Sequence, residues 1–255
     1  MKLYSAALTA TGNTLLVNED SYYINGVYKA EACRSEEAHE GIASDDGVYA
    51  VCDGVGGEHN GYVASYLCAR LLEDFKDRDI SAYAPYFQKA NQLVCAYIRE
   101  QQNQKSGSTV ALLCVHHGKA VVYNIGDSRV YRLRENVLSQ LSVDHTNAQR
   151  LVNMGCLTSE QAGSDPARHI LTQHIGIFEE EFLIEPYQSE EFAVYPGDRF
   201  LLCSDGLTDK LTPTDLRELM ADGTRKPKII CRRLVDAALK SGSKDNITAL
   251  IVDVR

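Results

Sequence analysis

Val48-Tyr49-Ala50-Val51-Cys52-Asp53-Gly54 is an apolar run that stops at an Asp-Gly pair. Five apolar residues without polar alternation predict a strand buried on both faces. Asp-Gly is turn chemistry, and it delivers a carboxylate to the strand's end. The same event recurs along the chain. Ala120 to Ile125 runs into Gly126-Asp127-Ser128, and Phe200-Leu201-Leu202-Cys203 runs into Ser204-Asp205-Gly206. Asp245-Asn246 opens the apolar run from Ile247 to Val254, and Glu19-Asp20 precedes a hairpin turned by Asn25-Gly26. Singly, each Asp reads as a turn residue. Together they place carboxylates wherever core strands meet the surface. If those ends share one pole, the charges repel unless cations neutralise them. Oxygen-only ligands suit Mg²⁺ or Mn²⁺ rather than Zn²⁺, and a pair of such ions can activate water and clamp a phosphate.

Around these strands the spacing alternates in type. Val63, Ala64, Leu67, Cys68, Leu71, Leu72 and Phe75 follow helical periodicity. A second helix is predicted from Pro85, burying Phe87, Ala90, Val94 and Ile98. Thr109 to Val115 and Val130 to Leu133 add strands, and short helices are expected near Ala148–Met154 and Ser159–Ala162. Thr212-Pro213-Thr214-Asp215 resembles a capping box. Ile230, Cys231, Leu234, Val235 and Ala238 mark a last helix before the final strand. The first element predicted is the Tyr22–Tyr28 hairpin, and Ala30 to Gly47 reads as an exposed polar excursion. This order lacks the regular alternation of a doubly wound sheet, so it predicts antiparallel sheets with helices packed outside.

Composition narrows the partners. The 255 residues carry 26 basic and 35 acidic side chains, a net charge of −9, with no basic stripe to meet a nucleic acid backbone. No apolar run approaches the length of a membrane span, and the first residues are too briefly apolar for a signal peptide. Eight cysteines show no C-x-x-C spacing, which argues against a zinc cage and for a reducing, cytoplasmic setting. No linker or repeat divides the chain, so 1–255 is expected to be one catalytic domain.

Six segments in order carry a resemblance: Asn18-Glu19-Asp20, Val51-Cys52-Asp53-Gly54-Val55-Gly56-Gly57, Gly107-Ser108-Thr109, Gly126-Asp127-Ser128-Arg129, Ser204-Asp205-Gly206-Leu207-Thr208-Asp209 and Asp245-Asn246-Ile247-Thr248. The chain resembles the metal-dependent serine/threonine protein phosphatases of the protein phosphatase 2C-like group, in compact bacterial form. That resemblance implies an α+β fold, a four-layer α/β/β/α sandwich of two antiparallel sheets flanked by helices. It implies two Mn²⁺ or Mg²⁺ ions: Asp53 bridging them with the Gly54 carbonyl on one, and Asp205 and Asp245 completing the other site. Glu19 and Asp20 match residues that hold metal-bound waters, and Asp127 matches a ligand of a third, weaker ion. The implied reaction is in-line attack of metal-bridging hydroxide on the phosphoserine or phosphothreonine of a protein, such as the product of a serine/threonine kinase. His59 and His145 are the imidazoles weighed as acid or flap residues, with His169 also in the flap. One departure stands out, because Leu15 occupies the position where the family places a phosphate-gripping Arg. It leaves an alternative reading, a catalytically weak relative that binds phosphoproteins.

Overall fold

The computed structural model describes residues 1–29, 36–56, 61–75, 79–102, 105–222 and 226–255. In chain order the strands are β1 (Leu3–Ala10), β2 (Ser21–Ile24), β3 (Val27–Tyr28), β4 (Glu37–Glu40), β5 (Gly47–Cys52), β6 (Gly54–Val55), β7 (Gly107–Ser108) and β8 (Val110–His116). They continue with β9 (Lys119–Ile125), β10 (Arg129–Arg134), β11 (Val137–Gln140), β12 (Tyr187–Gln188), β13 (Phe192–Ala193), β14 (Arg199–Cys203) and β15 (Ile247–Val254). The helices are α1 (Gly61–Leu71), α2 (Ala84–Glu100), α3 (Asn147–Asn153), α4 (Ser159–Ser164), α5 (Asp205–Thr208), α6 (Pro213–Met220) and α7 (Pro227–Lys240). One sheet runs β11-β10-β14-β15-β1-β4, and the other runs β12-β9-β8-β5-β2-β3 with β13 also on β9. All of these pairings are antiparallel.

Three apolar layers explain why the central strands lack alternation. Val48, Ala50 and Cys52 of β5 face α1 and α2 residues such as Cys68, Phe87 and Val94. Tyr49 and Val51 point the other way, into a core shared with Phe200, Leu202, Leu250 and Val252 of the opposite sheet. On the far side, Ile247, Ala249 and Ile251 of β15 pack against Ile230, Leu234 and Val235 of α7. A strand with both faces buried has no polar position to spare. The result is the expected α/β/β/α sandwich.

Local signals held as well. Asn25 and Gly26 take φ of 45° and 95°, as a two-residue hairpin turn demands. Thr212 accepts the Asp215 N–H, and Asp215 accepts the Thr212 N–H, so α6 opens on a true capping box. Two expectations need correction. β1 was not foreseen, although it is an inner strand between β15 and β4. Its buried residues are mainly Ala and Ser (Ser5, Ala6, Ala7, Ala10), whose small side chains give little hydrophobic signal. The excursion before Gly47 is also not wholly irregular, since Glu37–Glu40 forms edge strand β4 on β1.

Candidate metal centre

Strand register gathers the acidic turns. Ser21 at the start of β2 pairs with Cys52 at the end of β5. Val110 at the start of β8 pairs with Ile125 at the end of β9. In the other sheet, Cys203 at the end of β14 lies between Arg129 of β10 and Ala249 of β15. Asp20, Asp53, Asp127, Asp205 and Asp245 therefore leave the sandwich at one pole.

Backbone and hydroxyl contacts fix the loops there. The Gly54 N–H donates to the Glu19 carbonyl at 3.2 Å, and the Thr109 N–H donates to the Asp53 carbonyl at 2.8 Å. Gly54 must be glycine, since a Cβ would run into the Gly61 carbonyl at the start of α1. Asn246 acts as a clamp, accepting the Glu19 N–H at 2.7 Å while its amide donates to the Thr11 and Val17 carbonyls. Asp20 is fully buried, and its Oδ2 accepts the Ser204 and Thr248 hydroxyls at 2.7 and 2.6 Å. Its Oδ1 is buried with no hydrogen-bond partner. Leaving such an acceptor unpaired is costly, so this atom is suited to a ligand or ordered water.

Electrostatics tell the same story. Burial pushes the carboxyls of Asp53 and Asp205 well above the ordinary range, and neighbouring carboxylates push further: Asp20, Asp205, Asp245 and Asp127 on Asp53, and Asp127, Asp245, Asp209 and Asp20 on Asp205. Asp127 is raised to about 7, first by burial and then by Asp144, against the pull of Arg129. Asp20 is raised to about 6 by burial, opposed by its two hydroxyl donors and Lys29. Glu19 is raised by burial, with the Gly61 and Tyr62 N–H groups opposing. Clustered, desolvated carboxylates of this kind are a poor anion site and a good one for hard divalent cations.

A stability prediction follows from these directions. A carboxyl raised in the folded state stabilises it when protonated, and that contribution is lost as pH rises from the ordinary value near 4 through the folded one. Chelated protein should melt at progressively lower temperature between about pH 5 and 8, spanning the values of about 6 and 7 for Asp20 and Asp127. Saturating Mn²⁺ should recover the loss. Melting curves that are flat, or that rise over this range without metal, would contradict the repulsive cluster.

Other candidates fall differently. His145 is partly buried, its Nδ1 accepts the Gly126 N–H at 3.2 Å, and burial lowers its pKa. It braces the Asp127 turn. His59 lies outside the described residues. The segment from α3 to Leu171 is tied down by an isolated bridge between Thr146 and Leu171, and by an ion pair of Arg168 with Asp209 at 3.2 Å. His169 comes with it, offering a ligand atom within 4.8 Å of Asp205 and Asp209. Leu15 is 42% exposed and lines a cavity of about 350 Å³ with Asp209, Lys210, Lys244 and Asp245. Sequence reading missed two supporting groups. Lys29 is buried and its ammonium donates to the Asn18 and Asp20 carbonyls. Asp144 holds the Arg129 guanidinium in a fork at 2.6–3.0 Å. A hairpin-end lysine carries no pattern that announces burial, whereas Arg129 lay within a quoted motif and only its partner Asp144 went unread.

A sandwich of this layering, with acidic turns at one pole of both sheets, is the architecture of bacterial serine/threonine phosphatases. The chain belongs to the protein phosphatase 2C family, whose description, "Protein phosphatase 2C", matches residues 33–228. The serine/threonine protein phosphatase PstP of Mycobacterium tuberculosis is 32% identical over 237 residues, 88% of this chain and 44% of that protein. The chain thus spans less than half that relative's length. Serine/threonine phosphatase stp of Listeria monocytogenes is 29% identical over 80% of this chain and 82% of its own. A crystal structure of PstP superposes with a TM-score of 0.83 at 27% identity, covering both chains fully. The PstP catalytic domain in complex with 2 manganese ions gives 0.80 at 26% identity, over 100% of this chain and 99% of that one. No helix among the described residues is long and apolar enough to cross a membrane.

Proposed function

We propose that this chain is a single catalytic domain, 1–255, that hydrolyses phosphoserine and phosphothreonine in proteins with Mn²⁺ or Mg²⁺. The observation that carries this reading is the convergence of Asp53, Asp205 and Asp245 beside the orphaned Asp20 Oδ1. The donor set is all oxygen and fits hard divalent ions. Asp53 with the Gly54 carbonyl, and Asp205 with Asp245, would hold two ions. Asp127 with Asp205 would hold a third, weaker one. Bound there, the ions would supply Lewis acidity to the phosphate and acidify water.

The chain's own residues do the positioning. Asn246 and Lys29 fix the Glu19-Asp20 backbone, so Asp20 and Glu19 can orient water without moving during the reaction. The Arg129–Asp144 fork and the His145–Gly126 contact hold the Asp127 turn. Fixed dipoles and charges of this kind contribute without reorganisation cost. Lys210 and Lys244, in the cavity beside Leu15, are our candidates for the positive charge the family places on Arg. Phosphoproteins, including those made by a serine/threonine kinase, are the substrates this reading implies. A cytoplasmic setting agrees with the free buried thiols Cys52, Cys68, Cys95, Cys114, Cys203 and Cys231.

The test is hydrolysis of p-nitrophenyl phosphate with and without Mn²⁺, followed by a phosphopeptide panel. Activity should require Mn²⁺ or Mg²⁺ and vanish on exhaustive chelation. Full turnover after chelation would overturn the metal reading. Phosphopeptide binding without metal-dependent turnover would favour the weak relative, for which the missing Arg at Leu15 speaks.

A further inference from the structure

A second group of metal-ligating side chains lies at the opposite end of the molecule. β8 starts beside the acidic pole at Val110 and ends at His116, about 20 Å away at the usual rise per residue. His116 pairs with Lys119, so His117-Gly118 forms the two-residue turn, with φ of 50° and 76°. Gly47 of β5 pairs with Val115, which sets Asp46 against the turn. The sequence shows two adjacent histidines; only strand register supplies the carboxylate.

The geometry is that of an oriented ligand set. Asp46 Oδ1 accepts the His117 backbone N–H at 2.7 Å, which locks the carboxylate. Its Oδ2 faces both imidazoles, 3.0 Å from His116 Nδ1 and 3.9 Å from His117 Nδ1. The three ligand atoms lie within 4.8 Å of one another, and the ring centroids are 3.8 Å apart. Asp79 adds a second carboxylate within electrostatic reach of His116. Both histidines are exposed, which leaves room for small rotations of their rings.

We propose that Asp46, His116 and His117 form a binding site for a borderline-soft divalent transition-metal ion, best matched by Zn²⁺, with water completing the coordination. Zinc bonds of about 2.0–2.2 Å to nitrogen and oxygen require ligand separations of about 3.3 Å in a tetrahedron. The present spacing reaches that by small ring rotations. Loading replaces the direct contact between His116 Nδ1 and Asp46 Oδ2 with bonds from each to the ion. Two imidazoles favour Zn²⁺, Ni²⁺ or Cu²⁺ over the hard ions suited to the acidic pole. The site is independent of the phosphatase reading.

Zinc titration by calorimetry, in millimolar Mg²⁺ to occupy the acidic pole, tests it on the full chain. The comparison is with His116→Gln/His117→Gln, whose fold is checked by melting. Wild type should bind one more Zn²⁺ than the variant, or bind it at least about tenfold more tightly. Zinc-edge X-ray absorption of the one-equivalent complex should show imidazole scattering that the variant loses. Manganese-supported turnover should be equal in both. Equal zinc stoichiometry and affinity in the two proteins, or an absorption spectrum unchanged by the substitutions, would overturn the proposal and leave only an exposed His–Asp ion pair.

Discussion

Asp53→Asn and Asp205→Asn are each expected to lower turnover by at least about a hundredfold while leaving the fold intact. Burial first, and then the neighbouring carboxylates, push each carboxyl well above its ordinary range. Replacing one by a neutral amide of the same shape removes repulsion from the apoprotein, so the chelated variants should melt at or above the wild-type temperature. The same change removes an anionic ligand, weakens ion binding and leaves water less acidified. Function and apoprotein stability should therefore move in opposite directions. Near-normal turnover in either variant, at Mn²⁺ from micromolar to low millimolar, would refute the ligand assignment. Lower stability of both chelated variants would refute the repulsion. Asp127→Ala should also slow turnover, yet leave calorimetric binding of two tight ions in place.

Leu15→Arg is expected to lower KM for small phosphomonoesters by about tenfold, equivalent to about 1.4 kcal/mol. A guanidinium fork on phosphate is worth about 1.5–3 kcal/mol, and leucine offers no donor. The structure removes the main objection, that residue 15 packs in the core where an Arg would destabilise the protein. Leu15 is 42% exposed on a cavity that includes Asp245. The variant should melt like wild type and show little change in kcat. An unchanged KM in a folded, metal-binding variant would mean that the phosphate is already held, with Lys210 and Lys244 the groups to substitute next.

The central strands were legible because burial on both faces strips them of polar residues; β5, β14 and β15 fall where Val48–Cys52, Phe200–Cys203 and Ile247–Val254 said they would. β1 was hidden by its small side chains. β4 was hidden because an edge strand with charged residues looks like loop, which is how natural edges avoid pairing. At the acidic pole, each Asp was visible as a turn residue, but convergence depends on register between residues nearly two hundred apart, and periodicity carries no such information. Resemblance bridged that gap for the carboxylates. It did not reach Lys29, or Asp46 beside His116, because those residues lie outside the segments that carry the resemblance.

The position of β15 has a consequence for how the protein is made. It comes last in sequence among the described strands, yet it lies between β14 and β1, pairing Cys203 with Ala249 on one side and Leu3 with Val254 on the other. During synthesis, β1 must wait for a neighbour encoded some 240 residues later, and Asp245 emerges only just before it. The first sheet cannot close, nor the acidic pole assemble, until β15 has been synthesised. Pairing over such separations is slow, so until β15 emerges the nascent chain keeps one half of the sandwich open and its acidic pole unassembled.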